Sequence, residues 1–185
     1  MEFDSIRSQV RAEICSIVPL DELESLHIAD ALAWVDSGVE LFRISKPAVP
    51  PKHLVSYFAV VDQNHILLVD HINAGLWLPT GGHVEPGEHP RLTVTREIQE
   101  ELGISAAHEI DAPLMITCTH TTGNRAGHMD VSFWYVVQGE RSQPLNYDRG
   151  EFHSIAWFSF DEIPFEKSDP HMKRFVQKLK QKFNG

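Results

Sequence analysis

Gly82-His-Val-Glu-Pro-Gly-Glu88-His-Pro-Arg-Leu-Thr-Val-Thr-Arg96-Glu97-Ile-Gln-Glu100-Glu101-Leu-Gly103-Ile104 is the stretch of sequence that decides the fold. Its second half predicts a helix over Pro90 to Leu102. Val94, Ile98 and Leu102 recur every fourth residue and offer one face to a sheet, and Gly103 supplies the left-handed residue at which a helix stops. At 100° per residue, Glu97, Glu100 and Glu101 fall within about a 100° arc of the neighbouring face. Like charges placed that way repel; at roughly 5 Å and an effective dielectric near 20, each pair costs on the order of 3 kcal/mol before screening. A hard divalent cation turns the penalty into attraction, and Mg²⁺ prefers carboxylate oxygens, water and phosphates. Gly81 and Gly82, just before the helix, let the backbone approach a metal or phosphate closely, with a free carbonyl as a candidate ligand. Arg96 is placed to pin a carboxylate such as Glu88 or Glu100 by a charge-assisted hydrogen bond. The competing reading is a solvated acidic face, which an isolated Glu-x-x-Glu-Glu would not displace.

On either side of this stretch the patterns alternate between strand and helix. Leu54 to Val61 and Ile66 to Val69 are β-rich runs joined by the turn-like Asp62-Gln-Asn-His65. Gly75 to Gly82 reads as a loop. Leu114 to Thr121 and Met129 to Gln138 read as strands around the Gly-rich Thr122-Gly-Asn-Arg-Ala-Gly127, and Ser154 to Phe160 as another. Asp169-Pro170 opens a last helix, Asp as cap and Pro at its first position, with Met172, Phe175, Val176, Leu179 and Phe183 as its apolar stripe. Toward the N-terminus, Ile6, Val10, Ile14 and Ile17 recur at helical spacing until Pro19. Leu23, Leu26, Ala29, Leu32 and Ala33 mark one side of a second helix ending near Gly38. Lys46-Pro-Ala-Val-Pro-Pro51 reads as an extended linker. The expected organisation is a helical extension, residues 1–46, and a layered α/β domain, residues 47–185.

The bulk numbers narrow the function classes. With 185 residues, 42% of them hydrophobic, the chain can bury one sizeable core. Its formal charge of −10 argues against a nucleic-acid partner, which needs a cationic surface. It is compatible with a small polyphosphate if a cation stands between. Two distant cysteines, Cys15 and Cys118, suggest neither a zinc knuckle nor a disulfide framework. The longest apolar runs are too short to span a bilayer and no apolar leader follows Met1, so a cytoplasmic protein without membrane attachment is expected.

The opening stretch resembles the Nudix box, G-x5-E-x7-R-E-U-x-E-E-x-G-U with U aliphatic. Gly82, Glu88, Arg96, Glu97, Ile98, Glu100, Glu101, Gly103 and Ile104 fill every defined position, and the resemblance runs from about Leu54 to Trp157. Small departures are Pro79-Thr80-Gly81-Gly82, where Pro-Gly-Gly is common, and Thr93, where alanine is frequent. The resemblance implies a mixed β-sheet sandwiched between helices, with the box as loop–helix–loop. It implies that Glu97, Glu100 and Glu101, completed by the Gly81 carbonyl, bind Mg²⁺ or Mn²⁺ against a substrate diphosphate while water attacks phosphorus. Either Glu101 or Glu151, which resembles a loop glutamate of MutT-like members, is the base that takes the proton.

Further residues are candidates for reading a substrate. His120, His128 and Asp130 stand at strand ends, and the last two, spaced by two, share a sheet face. A pair satisfied by each other is the competing reading. Trp77 resembles the aromatic that often precedes the box and, like Tyr57, Phe133 or Trp134, is a candidate for stacking on a base, although strand aromatics are more often core. A (d)NTP or oxidised (d)NTP is the substrate class expected by elimination. An ADP-ribose or nucleotide-sugar pyrophosphatase and a non-catalytic nucleotide sensor stay open. The N-terminal apolar stripes must bury on the core or on a second copy, as a homodimer contact or a lid.

Overall fold

A computed structural model describes residues 2–46, 48–104, 110–121 and 127–184. In chain order the elements are α1 (Glu2–Ser16), α2 (Glu22–Asp36), β1 (Lys52–Asp62), β2 (His65–His71), β3 (Leu76–Leu78), β4 (Thr80–His83), α3 (Pro90–Leu102), β5 (Met115–His120), β6 (Met129–Gln138), β7 (Phe152–Ser159) and α4 (Met172–Asn184), with a 3-10 turn at Phe165–Lys167. The Gly-rich segment expected as a loop falls mostly on residues 122–126, outside the described residues.

The sheet is mixed, in the path β3-β2-β1-β6-β5, with β4 added to β1 and β7 to β2. At its centre β1 runs parallel to β6 in unbroken register from Lys52↔Met129 to Val61↔Gln138. Both strands are near-continuous apolar runs because helices cover both faces. On one face Leu54, Phe58, Val131 and Phe133 meet Val10 and Ile14 of α1, Val35 of α2, and Val94, Ile98 and Leu102 of α3. On the other, Ala59, Val61, Leu68 and Trp134 meet Met172, Phe175, Val176 and Leu179 of α4. Helices sandwich the sheet, as the resemblance implies.

Four local readings need correction. Gly75 to Gly82 is not a loop: β3 pairs with β2 and β4 with β1. Pro79, which lacks an N–H, marks where the chain passes from one partner strand to the other. The extended-linker reading fails at Ser45 and Val49, which bridge antiparallel just before Pro50 and Pro51; proline serves turns as well as extended chain. In α2 it is Ala31 and Val35 that are fully buried, whereas Leu23 is 44% and Leu26 60% exposed. Apolar residues surround that helix, so spacing did not fix its inner face. Finally α4 starts at Met172; Asp169 Oδ1 accepts from the His171 amide 2.7 Å away, capping the turn before the helix.

The N-terminal helices pack on the chain's own core through Val10, Ile14, Ala31 and Val35. Two buried polar links hold them. Tyr135 of β6 donates to Glu13 Oε2 of α1 at 2.7 Å, and Arg91 Nε of α3 donates to Glu13 Oε1 at 2.5 Å. Lys178 of α4 donates to Glu24 Oε1 of α2 at 2.6 Å and to the Val18 carbonyl at 2.8 Å. With Arg174 bonded to Asp21, this strap closes past the β5 edge. Tyr135→Phe, which removes a buried bond to a charged acceptor, should cost about 1.5–3 kcal/mol. A lowering of the thermal midpoint by only a degree would contradict that role.

Candidate functional site

The site is assembled at the start and end of α3. Pro90 fixes the first turn, His89 Nδ1 caps it by accepting from the Arg91 amide at 3.2 Å, and Gly103 closes it at φ 65°. With Val94, Ile98 and Leu102 fully buried, helical geometry turns Glu97 and Glu101 toward β4. There the tandem glycines are required by close approach. A Cβ on Gly82 would overlap the Glu97 carboxylate, and one on Gly81 would overlap the Ser56 carbonyl and Tyr57. The Gly81 amide donates to Glu101 Oε2 at 3.2 Å.

Arg96 organises the acidic side chains. It bonds Glu88 through Nε and Nη2, each at 3.2 Å, Glu97 through Nη1 at 2.6 Å and the His83 carbonyl at 3.3 Å, and it reaches the exposed Glu100 at 3.5 Å. Thr93 Oγ1 adds a bond to Glu88 at 2.7 Å. Burial works against the Glu88 charge, yet the bonds from Arg96 and Thr93 and the Glu85 amide hold its carboxyl below the usual range. Glu88 is thus an anionic anchor for Arg96.

Glu97 and Glu101 behave in the opposite way. Burial pushes Glu97 up even though Arg96 pulls it down. Glu101, 7% exposed, is pushed up to about 9 by burial and by the charges of Glu97 and Glu151. Glu151 reaches this cluster because the segment before it docks on the end of α3. Asn146 and Asp148 amides donate to the Leu102 and Glu101 carbonyls at 3.1 and 3.0 Å, pairing groups the helix end leaves open. The Glu151 carbonyl in turn accepts from Ile72 at 2.9 Å. Five carboxylates, Glu88, Glu97, Glu100, Glu101 and Glu151, therefore gather around a single guanidinium, with hard oxygen donors throughout. That donor set and the close glycine approach fit Mg²⁺, which Glu97, Glu100, Glu101 and the Gly81 carbonyl would hold.

The sign of the linkage gives a test. An acid whose folded pKa lies above its ordinary value stabilises fully below that value, 4.5, and loses the contribution as pH rises toward about 9. The thermal midpoint of chelator-treated protein should therefore fall more steeply between roughly pH 6 and pH 9 than that of Glu101→Gln, and Mg²⁺ should flatten the difference. Superimposable profiles with and without Mg²⁺ would contradict it.

Of the substrate-reading candidates, His128 and Asp130 do meet, 3.3 Å apart, but alongside His53 and His83, which sequence reasoning missed. They come from β1 and β4, so only strand pairing brings them in. Burial and Arg43 push His83 down to about 3 and keep its ring neutral. His120 is exposed on the opposite sheet face from Asp130, since its register partner is Met129. Trp77 packs edge-on against Phe158 at 5.0 Å, and its carbonyl accepts from Ser168. Phe133 and Trp134 are core. Tyr57 is half-buried against Gly81.

Residues 52–179 match the sequence profile of the NUDIX domain. The 8-oxo-dGTP diphosphatase of Escherichia coli (strain K12) is 31% identical over 106 residues, spanning 54% of this chain and 70% of the relative. The crystal structure of a MutT NUDIX hydrolase from Burkholderia pseudomallei aligns with a TM-score of 0.60 at 23% identity, over 69% of this chain and 98% of that one. A NUDIX-family hydrolase from Clostridium perfringens aligns with a TM-score of 0.51 at 21% identity, over 70% and 97%. At these identities the structural likeness concerns the fold alone.

Proposed function

The chain belongs to the Nudix hydrolase family, and from that premise we propose that it is a Mg²⁺-dependent enzyme that cleaves a phosphoanhydride bond of a (d)NTP or oxidised (d)NTP. The observation that carries the reading is the pair Glu97 and Glu101, pressed against Gly81–Gly82 and raised by burial among like charges. Such an arrangement is costly for the protein alone and favourable once a cation neutralises it. Held there by Glu97, Glu100 and Glu101, a divalent ion would supply Lewis-acid polarisation of the diphosphate and offset charge on the leaving oxygen.

The chain's own residues do the rest. Arg96 ties Glu97 to Glu88 and to the His83 carbonyl, so that ligand carboxylate and glycine strand keep one geometry. Glu151 is the better base: it is exposed to water, whereas a Glu101 oxygen is already bonded by the Gly81 amide. The half-buried Tyr57 ring beside Gly81 offers an apolar surface for a base. The E. coli relative, an 8-oxo-dGTP diphosphatase, supports placing oxidised nucleotides in the substrate class. Among the described residues no helix is long and apolar enough to cross a membrane, and Cys15 and Cys118 are free thiols; both fit the cytoplasmic location that the reading includes.

A panel of dNTPs, 8-oxo-dGTP, ADP-ribose and a nucleotide sugar, with Mg²⁺ and chromatographic identification of the nucleotide, phosphate and pyrophosphate products, tests the reading. Metal-dependent pyrophosphate release from triphosphates supports it. Turnover of ADP-ribose alone moves the substrate class, and tight nucleotide binding without turnover marks a sensor.

A further inference from the structure

One residue past Gly82, His83 joins a second polar cluster that takes no part in the reaction proposed above. His53 at the head of β1, His83 at the end of β4, and His128 and Asp130 at the head of β6 offer ligand atoms that all lie within 4.8 Å of one another. His53 is fully buried, and the side chains of His128 and Asp130 are 10% and 17% exposed.

The hydrogen bonds around the cluster fix the His53 tautomer and orient the His128 ring. His53 Nδ1 stands 2.9 Å from the Pro50 carbonyl. A carbonyl only accepts, so in the neutral ring Nδ1 carries the hydrogen and Nε2 presents a bare lone pair. That Nε2 faces Asp130 Oδ1, another acceptor, at 3.4 Å. Both atoms are buried without a hydrogen-bond partner. His128 repeats the arrangement. His128 Nδ1 lies 3.1 Å from Thr121 Oγ1, which is also 3.1 Å from the His128 carbonyl. His128 Nε2 is turned toward the same Asp130 oxygen at 3.3 Å.

Whichever tautomer His128 takes, a single Asp130 oxygen faces two ring nitrogens and His53 Nε2 is left against an acceptor, which is costly in a buried place. Protonating both rings would not resolve it well: His53 and His128 stack at 5.1 Å and 20°, and two imidazolium charges would lie face to face. One cation satisfies all the acceptors. The separations of 3.3 and 3.4 Å match the ~3.3–3.4 Å between ligand atoms of a tetrahedral ion with bonds of about 2.0–2.1 Å. The outward nitrogens of His53 and His128 are held by a carbonyl and a hydroxyl, the support that orients ligating imidazoles. Imidazole ligands select zinc-like ions, whereas Mg²⁺ prefers an all-oxygen set.

The geometry points to a structural zinc site formed by His53, His83, His128 and Asp130. His83 is the ligand that changes partner: its Nε2 is 3.1 Å from Arg43 Nη1, and ligation through that atom replaces the guanidinium. The ion ties the end of β4 to the heads of β1 and β6. It thereby steadies the strand whose Gly82 abuts Glu97 and whose His83 carbonyl is bonded by Arg96.

The test uses the full chain, stripped with chelator, loaded with Zn²⁺ in excess Mg²⁺, and gel-filtered before metal analysis. About one zinc per chain should remain, and a thermal midpoint higher by roughly 5–10 °C should accompany zinc at ~100-fold over its Kd. Glu97→Gln with Glu101→Gln should leave both unchanged, whereas Asp130→Asn and His128→Ala should abolish both. Co²⁺ substitution of the wild type should give the intense visible bands of a tetrahedral nitrogen–oxygen site, a readout that stands even if the variants misfold. Zinc-free wild type, a weak octahedral Co²⁺ spectrum, or zinc lost with the glutamates but kept in Asp130→Asn would each overturn the assignment.

Discussion

Glu97→Gln and Glu101→Gln should each lower kcat by roughly 10²–10³-fold on whichever nucleotide the enzyme turns over, with much smaller changes in KM. The reason is charge rather than shape. Glutamine keeps the volume beside Gly82 and can still accept from the Gly81 amide, which lies 3.2 Å from Glu101. What it removes is the negative charge that holds the cation where charge builds on the leaving oxygen. If the two side chains serve one ion, as proposed, the double variant should lose little more than either single one. Steady-state kinetics at saturating Mg²⁺ checks this. Losses under about 10-fold in both single variants would remove these glutamates from the reaction.

Lys178→Met should destabilise the fold by about 3–5 kcal/mol, because it leaves the Glu24 carboxylate buried without its cation. Glu24 is 1% exposed and Lys178 6%, so water cannot replace the partner. The Val18 carbonyl loses its donor as well. Adding Glu24→Leu should recover most of the loss, since replacing both members of a buried pair by apolar groups is close to neutral. Denaturant unfolding of the single and double variants separates the two effects. A Lys178→Met midpoint equal to wild type would mean that α2 and α4 are not coupled through this pair.

The reach of the sequence differs from element to element, for physical reasons. α3 was readable to its end residues because Pro90 and Gly103 are local signals and Val94, Ile98 and Leu102 a local period. Strand β6 was equally readable, since both its faces are buried and its apolar run is unbroken. β3 and β4 were not, because strands of three and four residues, the second with two glycines, owe their existence to partners in β2 and β1 rather than to their own residues. The inner face of α2 was misread because Glu24 turns inward to meet Lys178, a residue more than a hundred positions away. The placement of Glu88 against Arg96 was open to reading, because both lie in one local segment. The meeting of His128 and Asp130 with His53 and His83 was not, since it depends on the register of β1 with β6 and β4.

Glu97, Glu100 and Glu101 are the side chains proposed to hold a divalent ion. The most direct measurement is Mn²⁺ binding by electron paramagnetic resonance, comparing wild type, Glu97→Gln and Glu101→Gln with zinc already loaded so that histidine ligands are occupied. The wild type should show an Mn²⁺ site that either substitution weakens by roughly 10–100-fold and that a non-hydrolysable nucleotide tightens. Equal Mn²⁺ affinity in all three proteins would contradict that role.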